Sequence, residues 1–343
     1  MKINAHSHLL PEPNQIPFFL KKKNLFSIDS DKKFMRQGNW SRPITHPSFF
    51  IDEKLKWMNK NKIDHAVILT LSQLYCNGWK KTDAIDTIRF QNDFNYSIQK
   101  KYPKKFTCAF VVQPLYLNES LNEIEKCVND YNLKVLCLPT HFLSKNNKWT
   151  SIADEYLDPI YEIANKYSLS IQIHPYNAEK MVNLEDKFWR FHLVWMLAQC
   201  ADTFHIYTLR GIPNKYPQIR TCFAHGCVLG IANYGRRLQG FDGRPDLFDQ
   251  ANNPRGFLSH KNIYFDTLVH DSFTLELMKK RVGVSQIVAG LDDPYPLGEM
   301  EDIGTSFPGR VVDYALETGI LNKKEASSIW YDNVLNWLGK KEI

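Results

Sequence analysis

The chain has no CxxC pair. Its seven cysteines, Cys76, Cys108, Cys127, Cys137, Cys200, Cys222 and Cys227, are odd in number and widely spread, which argues against a disulfide framework and against a cysteine-type zinc site. No stretch approaches the roughly 18 apolar residues of a membrane span, and no charged N-terminal region is followed by an apolar segment, so neither an anchor nor a secretory signal is expected. The net charge is +6, yet the lysines fall in short clusters such as Lys21-Lys22-Lys23 and Lys100-Lys101 without interleaved aromatics. That pattern reads as solvated surface and not as a nucleic-acid footprint. Internal repeats and inter-domain linkers are also lacking. These absences leave a cytoplasmic protein of one domain, 1–343, whose basic balance suits a small anionic substrate.

What the chain does have is length and apolar content: 343 residues, 43% hydrophobic and 13% aromatic, enough for one large core. Eight β-rich apolar runs recur, over 2–6, 65–71, 107–112, 134–138, 168–174, 220–225, 262–267 and 285–292, with amphipathic stretches such as 52–61, 120–131 and 272–281 between them. Alternation of this kind predicts a parallel sheet, and eight repeats predict a (β/α)8 barrel. The connection over 9–50 is too long for a simple loop and is expected to form a lid or insertion over the barrel mouth. Its aromatics Phe18, Phe19 and Trp40 are expected in the core of that lid.

Histidines and an aspartate close several of these runs. His6 and His8, two apart on a strand, face one way and can close on a single ion. His174, His225 and Asp292 end later runs, all at the strand ends that line the site of such a barrel. Each alone has a plainer reading: His174 before Pro175 suits a backbone hydrogen bond, and Asp292 suits a helix cap. Jointly they predict one divalent metal ion. Imidazole with carboxylate suits Zn2+, with Mn2+, Fe2+ or Co2+ possible, and leaves a position for water whose pKa the metal lowers. A bridging lysine for a second metal is not at hand, since Lys134 lies at the wrong end of its strand.

The motifs His6-Ser-His8-Leu-Leu-Pro11, Phe223-Ala-His225-Gly226, Arg244-Pro-Asp-Leu247, Leu268-Val-His-Asp271 and Gly290-Leu-Asp292-Asp-Pro294-Tyr-Pro-Leu-Gly-Glu299 resemble the amidohydrolase superfamily. They are most similar to its α-amino-β-carboxymuconate-ε-semialdehyde decarboxylase branch. The resemblance implies that His6, His8, His174 and Asp292 hold the metal and that His225 is the base that activates the bound water. It also implies that Arg236 and Arg244 reach into a neighbouring subunit and bind substrate carboxylate, so that the active form is a homodimer; Arg237 is an adjacent alternative. The departures lie where substrate should sit. The loop arginine of the family falls on Lys33, with Arg36 three residues on, and a lysine offers a point charge in place of a fork. The family's tryptophan near the site mouth falls on His192, its glycine run after the catalytic histidine reads His225-Gly-Cys227-Val228, and its aromatic after the metal aspartate is Asp293. Lys33, Arg36, His192 and Asp293 are therefore carried as substrate-contacting candidates, and a substrate different from the branch's own is expected.

The function expected is non-oxidative, metal-dependent decarboxylation of a small unsaturated or aromatic carboxylate. Hydrolysis of an amide, ester or lactone on the same scaffold is the alternative, and a silent binding barrel is a third reading that intact strand-end ligands disfavour. Cys227 and His141 are expected as a buried thiol and a loop-capping histidine, with pocket contact the less favoured role for each.

Overall fold

The structure, a computed structural model, describes residues 1–29, 31, 34–176, 181–182, 184–295, 297–299 and 310–343. Eight parallel strands follow one another around a single sheet: β1 (Ile3–His8), β2 (His65–Leu69), β3 (Phe106–Val111), β4 (Val135–Pro139), β5 (Ser170–His174), β6 (Arg220–Phe223), β7 (Ile263–Asp266) and β8 (Ile287–Val288). Backbone hydrogen bonds from Ala5 N–H to the Ala289 carbonyl (2.7 Å) and from His8 N–H to the Asp293 carbonyl (2.9 Å) join the last strand to the first and close the barrel. All eight predicted runs are strands. The predicted helices form over Ile51–Lys60, Leu117–Asn129 and Ser272–Val282.

Alternation along the strands builds two separate cores. On β3, Cys108 and Phe110 face outward to the helices, where they pack with Ile124, Cys127 and Val128. Ala109 and Val111 face inward, with Val67, Val135, Cys222 and Val288. The C-terminal helix Asp332–Leu338 stops the lower end of the barrel. Trp337 is fully buried there, and its carbonyl accepts hydrogen bonds from Ser170 Oγ (2.6 Å) and Arg220 Nε (2.8 Å).

The insertion after β1 contains a short helix, Phe18–Lys22, and a three-stranded antiparallel sheet of Ser27–Ile28, Phe34–Gln37 and Trp40–Pro43. It has its own small core of Ile16, Leu20, Phe26, Met35 and Phe49, which reaches the barrel mouth through Leu74 and Tyr295. Phe19 and Trp40 pack on this core, as expected of them, but Phe18 points to solvent at 75% exposure. Among the described residues no helix is long and apolar enough to cross a membrane.

Near the lower rim, His65 donates from Nδ1 to the Lys104 carbonyl (3.2 Å) and pairs through Nε2 with Thr107 Oγ1 (2.9 Å), which also accepts from Lys340 Nζ (3.0 Å). Burial, with Lys340 and Lys105 nearby, pushes its pKa down to about 4. Below pH 6.5 the unfolded chain takes up a proton that the folded chain refuses, so this group's contribution is complete above pH 6.5 and falls away towards pH 4. A loss of about 3 kcal/mol follows over that window. Denaturant titrations at pH 7 and pH 4.5 should show a shallower acid loss for His65→Gln than for the unaltered chain.

Candidate metal centre

β1 carries one extra residue. Its partners on β2 run from Asn4 opposite Ala66 to Ser7 opposite Ile68, three residues against two. The extra residue is a β-bulge, and it reverses the inward-outward alternation of the strand. Ile3 and Ala5 line the barrel interior; beyond the bulge His6 and His8 turn inward, while Ser7 and Leu9 turn out. His174 and Asp266 occupy inward positions by simple alternation, because Ile173 and Phe265 pack on the helix side; Asp292, beyond the end of β8, has a left-handed φ of 48°.

Ligand-type atoms of His6, His174, His225 and Asp292 all lie within 4.8 Å of one another, and all four residues are buried. His8 joins them through Nε2, 3.0 Å from Asp292 Oδ1, with its ring centroid 5.2 Å from that of His6. The structure therefore brings together all five groups predicted from the strand ends. Nε2 of His6, His174 and His225 are buried without a hydrogen-bond partner. The partners of the far nitrogens explain how two of these rings are aimed. His6 Nδ1 is 2.8 Å from Asp266 Oδ2 and His174 Nδ1 is 2.8 Å from the Pro175 carbonyl. Both partners only accept, so each Nδ1 carries a proton and each Nε2 is the nitrogen aimed at the centre, free to ligate once any proton on it is displaced.

Electrostatics fit the same site. Burial pulls the His6 imidazole down, but the carboxylates of Asp292 and Asp266 outweigh it and lift its pKa to about 10. Burial works against the Asp292 carboxylate as well, yet His6 and His8 hold it well below its usual range. Burial lowers His174 well below the ordinary imidazole value, lowers His8 despite Asp292, and lowers His225 to about 4. Charge balance then rests on a proton at His6. A divalent cation held by the same atoms would take its place, and the unpartnered Nε2 set fits such an ion.

Asp266 was not among the residues singled out in the sequence, although it ends β7 as His174 ends β5. Its Oδ1 accepts from Gly226 N–H (2.9 Å) and Leu268 N–H (3.2 Å), so one carboxylate fixes both the His6 ring and the turn that carries His225. That turn is strained: His225, Gly226 and Cys227 have φ of 55°, 60° and 44°, a region that only glycine enters freely. The Cys227 thiol is fully buried in the outer core, as expected of it. Gly290 is needed for close approach, since a Cβ there would lie 2.9 Å from His6 Cβ and 2.8 Å from Asp266 Cβ.

The predicted substrate contacts are more dispersed. His192 lines the cavity that His225 also lines. Lys33 lies outside the described residues. Arg36 is exposed and forked onto Asp29, at 2.7 and 2.9 Å. Asp293 is fully buried and accepts from Asn4 Nδ2, Ser7 Oγ (3.2 Å) and Lys54 Nζ. Arg236 lines a groove on the outer face with Asp202, Leu229 and Phe248, and Arg244 is exposed and paired with Asp246. Arg237 is buried and engaged by His205 Nδ1 (3.0 Å) and Thr208 Oγ1 (2.6 Å). His141 Nε2 meets Asp202 Oδ2 at 2.8 Å.

One arginine of the insertion escaped sequence reasoning. Arg42 is half-buried, its guanidinium 4.7 Å from the centre of the Tyr295 ring, which in turn lies 5.1 Å from the His8 ring. Among the described residues it has no hydrogen-bonded or ion-paired partner. Burial lowers its pKa.

Replacing Asp266 by Asn should present an amide N–H to His6 Nδ1, move the ring proton to Nε2 and so aim an N–H, in place of a lone pair, at the metal position. Metal affinity, measured by competition with a chromophoric chelator, should fall on the order of 10–100-fold.

The amidohydrolase family profile matches residues 3–304. The 2-amino-3-carboxymuconate-6-semialdehyde decarboxylase of Dictyostelium discoideum is 27% identical over 99% of this chain and 92% of its own. Among solved structures, 2,6-dihydroxybenzoate decarboxylase from Rhizobium superposes with a TM-score of 0.72 at 15% identity, over 98% of each chain. The dihydroxybenzoic acid decarboxylase of Polaromonas sp. JS666, solved with bound manganese and the inhibitor 2-nitroresorcinol, gives 0.72 at 14% identity over 98% of this chain and 96% of its own. A match across most of the barrel, from the first strand to beyond Asp292, means that the chain belongs to the amidohydrolase family.

Proposed function

We propose that the chain is a metal-dependent, non-oxidative decarboxylase of a small unsaturated or aromatic carboxylate. The observation that carries this reading is Arg42: a half-buried guanidinium that has no ion-paired carboxylate among the described residues, one ring away from a cluster of imidazoles, is suited to a carboxylate brought by substrate. Arg42 thus takes the place assigned in the sequence to Arg36, which is forked onto Asp29. The names of the relatives support the same chemistry.

His6, His8, His174 and Asp292 would hold the divalent ion, with Zn2+ the proposed metal, and the ion would supply Lewis-acid charge that draws electrons as the carboxylate leaves. The chain's own groups do the rest. Arg42 orients the carboxylate. When the bond to CO2 breaks, its electron pair stays on carbon and must be met by a proton. His225, neutral at pH 7 and with its Nε2 buried and unpartnered among the described residues, is placed to take a proton from the water or substrate hydroxyl at the site and return it to that carbon. Leu197, Val228 and Leu268 share its cavity and make that side of it apolar.

Two copies are proposed to assemble through the outer helix that carries Arg236, with Arg236 and Arg244 serving the neighbouring site. The exposed Leu229 and Leu247 nearby favour such a contact. All seven cysteines are free and buried, in keeping with a reducing cytoplasm.

The test is a CO2-release screen of metal-reconstituted protein over aromatic and muconate-type acids. Release is expected, and Arg42→Met should raise KM on the order of a hundredfold, with Arg42→Lys recovering part of the loss. Cleavage of a lactone or amide without CO2 would replace this reading with the hydrolytic one.

A further inference from the structure

Two spaces at the barrel mouth meet at His192. One, of about 460 Å3, is walled by Trp40 of the insertion and by Gln73, Asn77, Trp79 and Tyr176. The other, of about 250 Å3, is lined by leucines and valines and by His225 and His270 as well as His192. Among the described residues neither is lined by a lysine, arginine, aspartate or glutamate. Arg42 stands outside both linings, at the metal end beside Tyr295. The charged end of a substrate therefore has one address, and whatever projects away from it enters a chamber of carboxamides and aromatic rings.

His192 is built to read that projecting part. It sits on a π-helical turn, Phe191–Trp195, a local distortion that often serves a site. Its ring is stacked on Trp189 at 4.9 Å with 29° between planes, which holds its orientation. Nδ1 is buried and has no partner. The ring is neutral across the physiological range, since burial and the charge of Arg42 push its pKa to about 4. A neutral imidazole offers one donor and one acceptor, which matches a hydroxyl or carboxamide. A second carboxylate would offer only acceptors. It would also bring a second negative charge against linings that, among the described residues, hold no lysine or arginine, with Arg42 already committed to the reacting carboxylate, and that burial is costly.

We propose that His192 selects a monocarboxylate whose remote end is uncharged and hydrogen-bonding, a hydroxyl or carboxamide, over a dicarboxylate. The proposal deepens the decarboxylase reading and rests on it for the placement of the reacting carboxylate. The probe pair is 2,3-dihydroxybenzoate and 3-carboxy-2-hydroxybenzoate, in which a carboxylate replaces one hydroxyl.

Calorimetric titration of the Zn2+-reconstituted protein should show the dihydroxy acid binding at least on the order of tenfold tighter. His192→Phe should bring the two affinities within about threefold, and His192→Gln, whose amide is neutral and offers both N–H donors and an acceptor oxygen, should restore the preference. Tighter binding of the dicarboxylate, binding of neither acid, or an unchanged ratio in His192→Phe overturns the proposal. CO2 release is assayed separately: a preference seen without any CO2 release retains the selectivity of His192 and removes the decarboxylase reading.

Discussion

The site depends on the seam where the last strand meets the first. Asp292 N–H bonds to the His6 carbonyl at 2.8 Å and His8 N–H bonds to the Asp293 carbonyl at 2.9 Å, so the backbone that carries the carboxylate is laced directly to the backbone that carries two imidazoles. Residues from opposite ends of the chain become neighbours through main-chain geometry alone. Side-chain convergence on one ion follows from that seam, and the left-handed φ of 48° at Asp292 turns its carboxylate inward at the point of closure. A non-glycine residue held there costs on the order of 1–3 kcal/mol, which the surrounding hydrogen bonds offset.

Asp266 extends the same logic one strand further. By gripping His6 through one oxygen and the Gly226 and Leu268 amides through the other, it couples the first strand to the turn bearing His225. His6 and His225 rings are parallel to within 3° with centroids 5.9 Å apart, a relation that neither strand would fix by itself. The His225 turn and the His6 ring therefore share one support, and moving either means breaking a bond to the same fully buried carboxylate.

Most of the barrel was legible because strand-facing alternation is a property of the sequence. Ile171-Gln-Ile-His174 and Ile263-Tyr-Phe-Asp266 place His174 and Asp266 inside once their apolar neighbours are assigned to the helix side. β1 is the exception that pattern reading passes over: Ile3 and Ala5 are interior, so unbroken alternation would have sent His6 and His8 outward. Only the bulge, which depends on pairing with β2, turns them in. Arg42 was missed for a related reason. A gapless count through the insertion selects Lys33 and Arg36, whereas the antiparallel sheet lays Trp40–Pro43 against the mouth and gives Arg36 to Asp29 at the surface.

The bulge also explains how a second aspartate can adjoin the metal aspartate without repelling an anionic substrate. Asp293 follows Asp292, so it faces the helix side of the wall, where Asn4 and Ser7 point from the same outer face of β1. Lys54, fully buried on the helix Ile51–Lys60, meets it there and also donates to the His8 carbonyl at 3.2 Å. Removing one partner of such a buried pair typically costs about 3–5 kcal/mol, because the other charge is stranded. The pair thus ties the helix to the seam while its charges cancel out of sight of the mouth. Asp292 and Asp266 remain as the carboxylates turned toward the cluster, the arrangement a divalent cation requires. Among the described residues the Arg42 guanidinium has no ion-paired partner at the edge of that cluster, so the compensated charges lie outside the wall, and the imidazoles, two carboxylates and the guanidinium lie at the mouth.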